Sequence, residues 1–213
     1  MKTILCSMVE KVTEEIKLFL NSTDKVCIIP WSFAIELNNE KFENEYFPIG
    51  GRRYNKYVPM LNSVGINDIF VANCYKHTIE EIIKKINISN VIILPGGNPE
   101  MLFNKLSKDG RLVDVLNRYN GLVIGESAGA CIQFSKYLLT KENNFYGYQD
   151  FYEGIGRLNK DFYIDVHSLD DKEYLYNLSI LDKDVYAIFN DGMMYIEDDK
   201  IKTFGKVKFI KKI

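Results

Sequence analysis

The residues best suited to chemistry lie in Gly125-Glu126-Ser127-Ala128-Gly129, a G-x-S-x-G string. A serine so placed becomes a nucleophile when a sharp strand-to-helix turn lifts its hydroxyl above the strand end. The string alone is weak, because average composition produces it by chance in about one chain in fifteen of this length. Its context is stronger. Leu122-Val123-Ile124 enters it as an apolar strand, and Ala128-Gly129-Ala130-Cys131-Ile132 leaves it as a helix. The small flanking residues permit a tight turn, and the helix start aims free N–H groups and its positive dipole end at a developing oxyanion. The bland alternative is a plain strand–helix turn capped by Ser127.

A second glycine turn follows the same grammar. Ile92-Ile93-Leu94-Pro95-Gly96-Gly97-Asn98-Pro99-Glu100 reads as a strand, a glycine turn and a helix start. Asn98 suits the N-cap and Pro99 the first helical position. In parallel α/β sheets, sites form beyond the carboxyl ends of the strands, where both turns would lie. Gly97 N–H is then expected to join Ala128 N–H in an oxyanion hole. A phosphate loop is excluded, because the segment lacks the Gly-Lys-Ser/Thr ending.

A serine hydroxyl needs a base, and histidine is the usual one near neutral pH. The chain has only His77 and His167. His77 precedes Thr78, the apparent cap of a helix, and reads as a solvated loop residue. His167 ends the apolar strand Phe162-Tyr163-Ile164-Asp165-Val166, where catalytic groups collect, and is the expected base. Asp191, in Phe189-Asn190-Asp191-Gly192, is the expected orienter of the imidazole. Asn190 is the alternative, Asp191-Gly192 is also a common turn pair, and Asp165 should point away from its neighbour.

The elements that must position these groups alternate between apolar, β-branched runs and amphipathic helices. That pattern predicts an α/β three-layer sandwich with a mainly parallel central sheet, in a single domain over residues 1–213. Expected strands are 3–7, 26–30, 69–72, 91–94 and 122–125, with helices at 13–20, 54–63, 78–86 and a pair across 99–119. Leu122-Val123-Ile124 has no polar alternation, as a strand covered on both faces requires. After Ser127 a helix is expected to about residue 138, then a polar, turn-rich stretch over 141–156. A strand at 162–166 and a helix or loop at 172–181 come next. Strand pieces at 185–189, 193–196, 201–204 and 207–210 follow, the last two flanking Gly205 as a short antiparallel C-terminal edge.

Composition narrows the partners. With 27 basic and 29 acidic side chains among 213 residues, the net charge of −2 offers no footprint for nucleic acid or an anionic membrane surface. No stretch approaches the roughly 18 apolar residues of a membrane helix. The apolar start is broken by Ser7 and closed by Glu10, unlike a signal peptide. Cys6, Cys27, Cys74 and Cys131 share no metal-like spacing and read as buried free thiols of a cytoplasmic protein. No metal or other cofactor is expected. The monomer and the homodimer both stay open.

Three segments together resemble the dipeptidase E and cyanophycinase family of serine peptidases. They are Leu94-Pro95-Gly96-Gly97-Asn98, Gly125-Glu126-Ser127-Ala128-Gly129-Ala130 and Asp165-Val166-His167. The resemblance covers most of the chain. It implies a fold akin to class I glutamine amidotransferases and a metal-free Ser-His-acid/amide mechanism on short peptides or isopeptides bearing an acidic residue. Asn98 and Arg157 are then the expected substrate-binding residues. Family members that cleave after an N-terminal aspartate usually carry arginines after the histidine, whereas this chain has Ser168-Leu169-Asp170-Asp171-Lys172-Glu173. Arg157 or Lys172 would have to supply the cation. The rival readings are an α/β-hydrolase esterase, with Asp150 or Glu153 as its acid, and a catalytically silent binding protein on the same fold. A cysteine amidotransferase-like site is weaker, because the elbow holds serine and Cys131 lies one helical turn beyond it.

Overall fold

The computed structural model describes residues 1–32, 38–46 and 51–213. Strand β1 (Lys2–Cys6) leads through a 3-10 turn (Val9–Lys11) into helix α1 (Thr13–Lys17) and strand β2 (Lys25–Ile28). Helices α2 (Asn39–Tyr46) and α3 (Tyr54–Ser63) precede β3 (Asp68–Val71), and α4 (Ile79–Ile88) precedes β4 (Val91–Leu94). Helices α5 (Pro99–Ser107) and α6 (Gly110–Arg118) connect to β5 (Leu122–Glu126), which enters the one-turn helix α7 (Ala128–Cys131). There follow β6 (Lys136–Leu139), β7 (Asp150–Glu153), β8 (Phe162–Val166), α8 (Lys172–Ser179), β9 (Asp184–Glu197) and β10 (Lys200–Ile210).

The main sheet runs in the order β10-β9-β1-β5-β4-β2-β3, with β8 also paired to β9. Strands β1, β5, β4, β2 and β3 are mutually parallel, and β9 and β10 add an antiparallel edge. The apolar runs lack polar alternation because both faces are covered. Ile92, Leu94 and Val123 pack with Ile82, Leu102, Leu112 and Leu116 of α4, α5 and α6. Their neighbours Ile93 and Ile124 pack on the other side with Ile16 and Leu61 of α1 and α3. This is a three-layer α/β sandwich. Among the described residues no helix is long and apolar enough to cross a membrane.

One feature of the edge positions the site. Strand β10 follows one side of β9 nearly end to end, so β8 and β1 share the other. They run toward each other: Val166 pairs with Ile188 and Cys6 with Met193. The carboxyl ends of two strands distant in sequence therefore meet over residues 189–192.

Several elements differ from the sequence reading. The helix expected to about residue 138 stops at Cys131, and Lys136–Leu139 pairs with Asp150–Glu153 as a hairpin. Tertiary bonds consume the acceptors a longer helix would need: Ile155, Leu158 and Gly156 N–H groups donate to Ile132, Gln133 and Phe134 carbonyls. The four C-terminal strand pieces are two long strands, β9 and β10, with an irregular register between Gly205 and Val207. Helix α2 has no counterpart in the sequence reading. Its polar sequence buries only Phe42 and Tyr46, four residues apart on one face.

Candidate active site

Ser127 sits at the end of β5 with φ 49° and ψ −112°, a backbone that L-residues avoid. The surroundings hold it there. Its N–H donates to Cys6 O at 2.8 Å, and its carbonyl accepts from Ala130 and Cys131 N–H at 2.9 and 3.0 Å. Such strain costs about 1–3 kcal/mol and persists where neighbouring structure over-determines it. Here it presents the hydroxyl at the mouth of a pocket.

His167 also has positive φ, 55°, and is clamped from both flanks. Its N–H donates to Ser7 Oγ at 2.9 Å, and Ser7 Oγ donates in turn to Ile188 O at 2.8 Å. Asn143 Nδ2 donates to Val166 O at 2.7 Å. The head-on approach of β1 and β8 is what brings Ser7 under His167. The ring then stands with Nε2 3.0 Å from Ser127 Oγ and Nδ1 2.7 Å from Asn190 Oδ1. With the proton on Nδ1, donated to the amide oxygen, Nε2 is free to accept the serine proton.

The second glycine turn faces Ser127. A Cβ on Gly96 would come within 3.1 Å of Ser127 Cβ, and one on Gly97, at φ 144°, would overlap Ser32 O at 1.7 Å. At Gly97 only glycine permits this approach. Among the described residues neither Gly97 N–H nor Ala128 N–H has a hydrogen-bond partner. Gly97, Ala128, Ser127 and His167 line one pocket of about 250 Å³. Pro99, Cys131, Leu139, Phe145 and Val166 give it apolar walls, and Glu142 and Asn143 add polar groups.

The structure separates other expected site residues from this pocket. Asn190, rather than Asp191, meets His167 Nδ1, because side chains alternate across β9 and the two neighbours point oppositely. Asn98 spends its side-chain oxygen on the N-cap of α5, accepting from Glu100 and Met101 N–H. Arg157 is buried, and its Nη2 donates to Tyr119 O. Tyr119 precedes β5 and Ser127 follows it, roughly 15 Å of strand apart, so Arg157 supplies no cation to the site. Lys172 is exposed at the start of α8. Asp170 turns outward to Lys206 and Lys208, whose hydrogen bonds hold its carboxyl down at about 2. His77 lies before α4, with Nδ1 accepting from Asn73 N–H and its ring against Phe70.

Sequence reasoning missed Ser7, Asn143 and Glu126. Glu126 is 1% exposed, yet its carboxylate is met by Val9 N–H, Gly96 N–H, Tyr57 hydroxyl and Lys56. A charged residue ending an apolar strand was the available signal. The four cysteines are unbridged; burial pushes the Cys131 thiol up to about 12, which removes it as a nucleophile. Among the described residues no group of three His, Cys, Asp or Glu side chains is arranged to hold a metal ion.

A strained serine at a strand-to-helix elbow, with an imidazole on its hydroxyl and a glycine turn opposite, defines the serine-hydrolase class on an α/β fold. The family model of Peptidase family S51 matches residues 7–204, so the chain belongs to that family and is a serine-type peptidase of the dipeptidase E type. Two solved structures share its fold. One is a candidate peptidase E protein from Listeria monocytogenes EGD-e, 18% identical over 95% of this chain and 97% of that one, with a TM-score of 0.70. The other is a peptidase from an acI-B1 Actinobacterium, 15% identical over 100% of this chain and 91% of that one, also at 0.70. A search of curated proteins finds no match to this sequence.

Proposed function

We propose that this chain hydrolyses short peptides by acyl transfer through Ser127. The hydroxyl attacks the scissile carbonyl carbon while His167 Nε2 takes its proton. Gly97 and Ala128 N–H groups receive the negative charge that gathers on the carbonyl oxygen. Collapse of the tetrahedral intermediate breaks the C–N bond, and His167 returns its proton to the leaving amine. Water then attacks the acyl-serine, giving up a proton to His167, and the acid product leaves with the serine hydroxyl restored. Asn190 Oδ1 holds Nδ1–H throughout and keeps the ring in the accepting tautomer. The 3.0 Å contact between Ser127 Oγ and His167 Nε2 carries this reading.

The pocket argues for a small substrate. At about 250 Å³ it falls below the roughly 300–1,000 Å³ of sites for drug-sized ligands. Glu142 is its carboxylate, and among the described residues no lysine or arginine lines it. That balance favours a free α-ammonium or an uncharged side chain over an acidic residue. The esterase reading loses support because Asn190, from a strand after the histidine, occupies Nδ1. Four unbridged thiols suit a reducing cytoplasm.

The test is a panel of dipeptides varied at the N-terminal residue, assayed with wild-type protein and Ser127→Ala. Hydrolysis that disappears in a folded Ser127→Ala supports the reading. Hydrolysis that survives the substitution rejects it.

A further inference from the structure

The two successive peptide units that lead into Gly97 are gripped from two sides. Ser32 Oγ lies 2.8 Å from Pro95 O and 2.7 Å from Gly96 O, and its single proton is shared between these two carbonyls. Because a trans peptide points its C=O and N–H in opposite directions, a Gly96 carbonyl held by Ser32 turns the Gly97 N–H the other way. Gly97 lines the catalytic pocket on that side. Ser32 is 1% exposed, and its own carbonyl accepts Asn98 N–H at 2.5 Å.

The second grip is Glu126. Its Oε2 accepts Gly96 N–H at 3.2 Å and the Tyr57 hydroxyl at 2.6 Å. Its Oε1 accepts Val9 N–H at 2.9 Å and pairs with Lys56 Nζ at 2.5 Å. Lys56 also reaches Glu10 at 3.0 Å. Four donors on two oxygens saturate a carboxylate that water cannot reach, so its position is fixed by α3, by the turn after β1 and by its own place in β5. An anion this close to a developing oxyanion would oppose catalysis if bare. The Lys56 ammonium offsets it.

We infer that Glu126 is a positioning residue for the oxyanion hole, acting through Gly96 and together with Ser32 to preset the Gly97 N–H. This rests on the serine-peptidase reading above. The carboxylate touches no reacting atom. It belongs to the residue before the nucleophile, so one strand end fixes both the attacking hydroxyl and the donor that stabilises its product. Glutamine cannot substitute, because whichever way its amide turns, the NH2 group faces two donors.

The experiment is a double-mutant cycle of Glu126→Gln and Ser32→Ala on a cleaved dipeptide, with thermal unfolding as the check on folding. Loss of a preset oxyanion donor costs about 10²–10³ in kcat when complete. Each single variant is therefore expected to lose about 10–100-fold in kcat, with KM within about threefold of wild type. Both hold the Pro95–Gly96 peptide unit that sets the next one, Ser32 at its carbonyl and Glu126 at its N–H, so the double variant should fall no more than about threefold below the weaker single. A folded Glu126→Gln with kcat within about threefold of wild type overturns the inference, as do losses that multiply in the double variant. If Glu126→Gln does not fold, Tyr57→Phe removes one donor from the same Oε2. It should lower kcat about threefold to tenfold at unchanged KM, and an unchanged kcat overturns the inference equally. A wild-type protein that neither hydrolyses dipeptides nor reacts at Ser127 removes the underlying reading and this inference with it.

Discussion

Asn190 Oδ1 lies 2.7 Å from His167 Nδ1, and the aspartate beside it in sequence does not take that position. A neutral amide fixes the tautomer of the imidazole without adding a countercharge. Removing it should therefore cost orientation more than charge stabilisation. We expect Asn190→Ala to lower kcat/KM about 10–100-fold, in the range of supporting groups behind a functional side chain. Asn190→Asp should retain most of the activity, and Asp191→Asn should stay within about threefold of wild type by the same reasoning. Steady-state kinetics on one dipeptide checks all three. A large loss in Asp191→Asn alone would reverse the assignment.

Ser7 joins three strands at one oxygen. Its hydroxyl accepts the N–H of the half-buried His167 and donates to the buried Ile188 O. Alanine leaves the His167 N–H unpaired, at about 1–3 kcal/mol before relaxation, while Ile188 O keeps the Ser168 N–H at 3.2 Å. Ser7→Ala should unfold at lower denaturant and lose about tenfold in kcat/KM as His167 loosens. Equal stability and equal activity would show that the clamp is idle.

The backbone at Ser127 predicts an unusual stability order. Its φ of 49° and ψ of −112° strain any residue with a Cβ, and glycine escapes that penalty. Ser127→Gly should be more stable than Ser127→Ala by about 1 kcal/mol, despite the greater flexibility of unfolded glycine. Chemical denaturation of the two inactive variants measures this. A less stable glycine variant would mean that the elbow stores no strain.

Asp165 lies beneath the His167 loop and is 2% exposed. Its Oδ2 accepts the Tyr174 hydroxyl at 2.8 Å and the Ser168 hydroxyl. Burial raises its carboxyl from 3.8 to about 6, against the lowering effect of those hydrogen bonds. The folded state then binds a proton that the unfolded chain has released, so stability is greatest below about pH 4 for this group. It is lost as pH rises to about 6, on the order of 3 kcal/mol in all. Asp165→Asn should flatten that slope in urea titrations between pH 4 and about 7. An unchanged slope would place the titration elsewhere.

Local grammar made much of this legible. The elbow and the Gly96–Gly97 turn depend on short-range residue types, so both could be read from the chain, as could the parallel strands buried on two faces. Long-range pairing was not legible. Asp191-Gly192 looks like a turn between two strands, but β10 pairs across it and keeps β9 continuous, which sets the alternation that selects Asn190. The helix after Ser127 looks extendable until residues 155–158 take its carbonyls. Ser7 and Glu126 read as ordinary strand-end residues, because their partners lie 160 and up to 117 positions away.

Covalent labelling of Ser127 tests its role as nucleophile. Wild-type protein and His167→Ala are treated with a fluorophosphonate, and the adduct is mapped by peptide mass spectrometry. One adduct is expected, on Ser127, formed at least about 100-fold more slowly without the imidazole. An adduct on another residue, or none while dipeptide hydrolysis proceeds, would contradict that role.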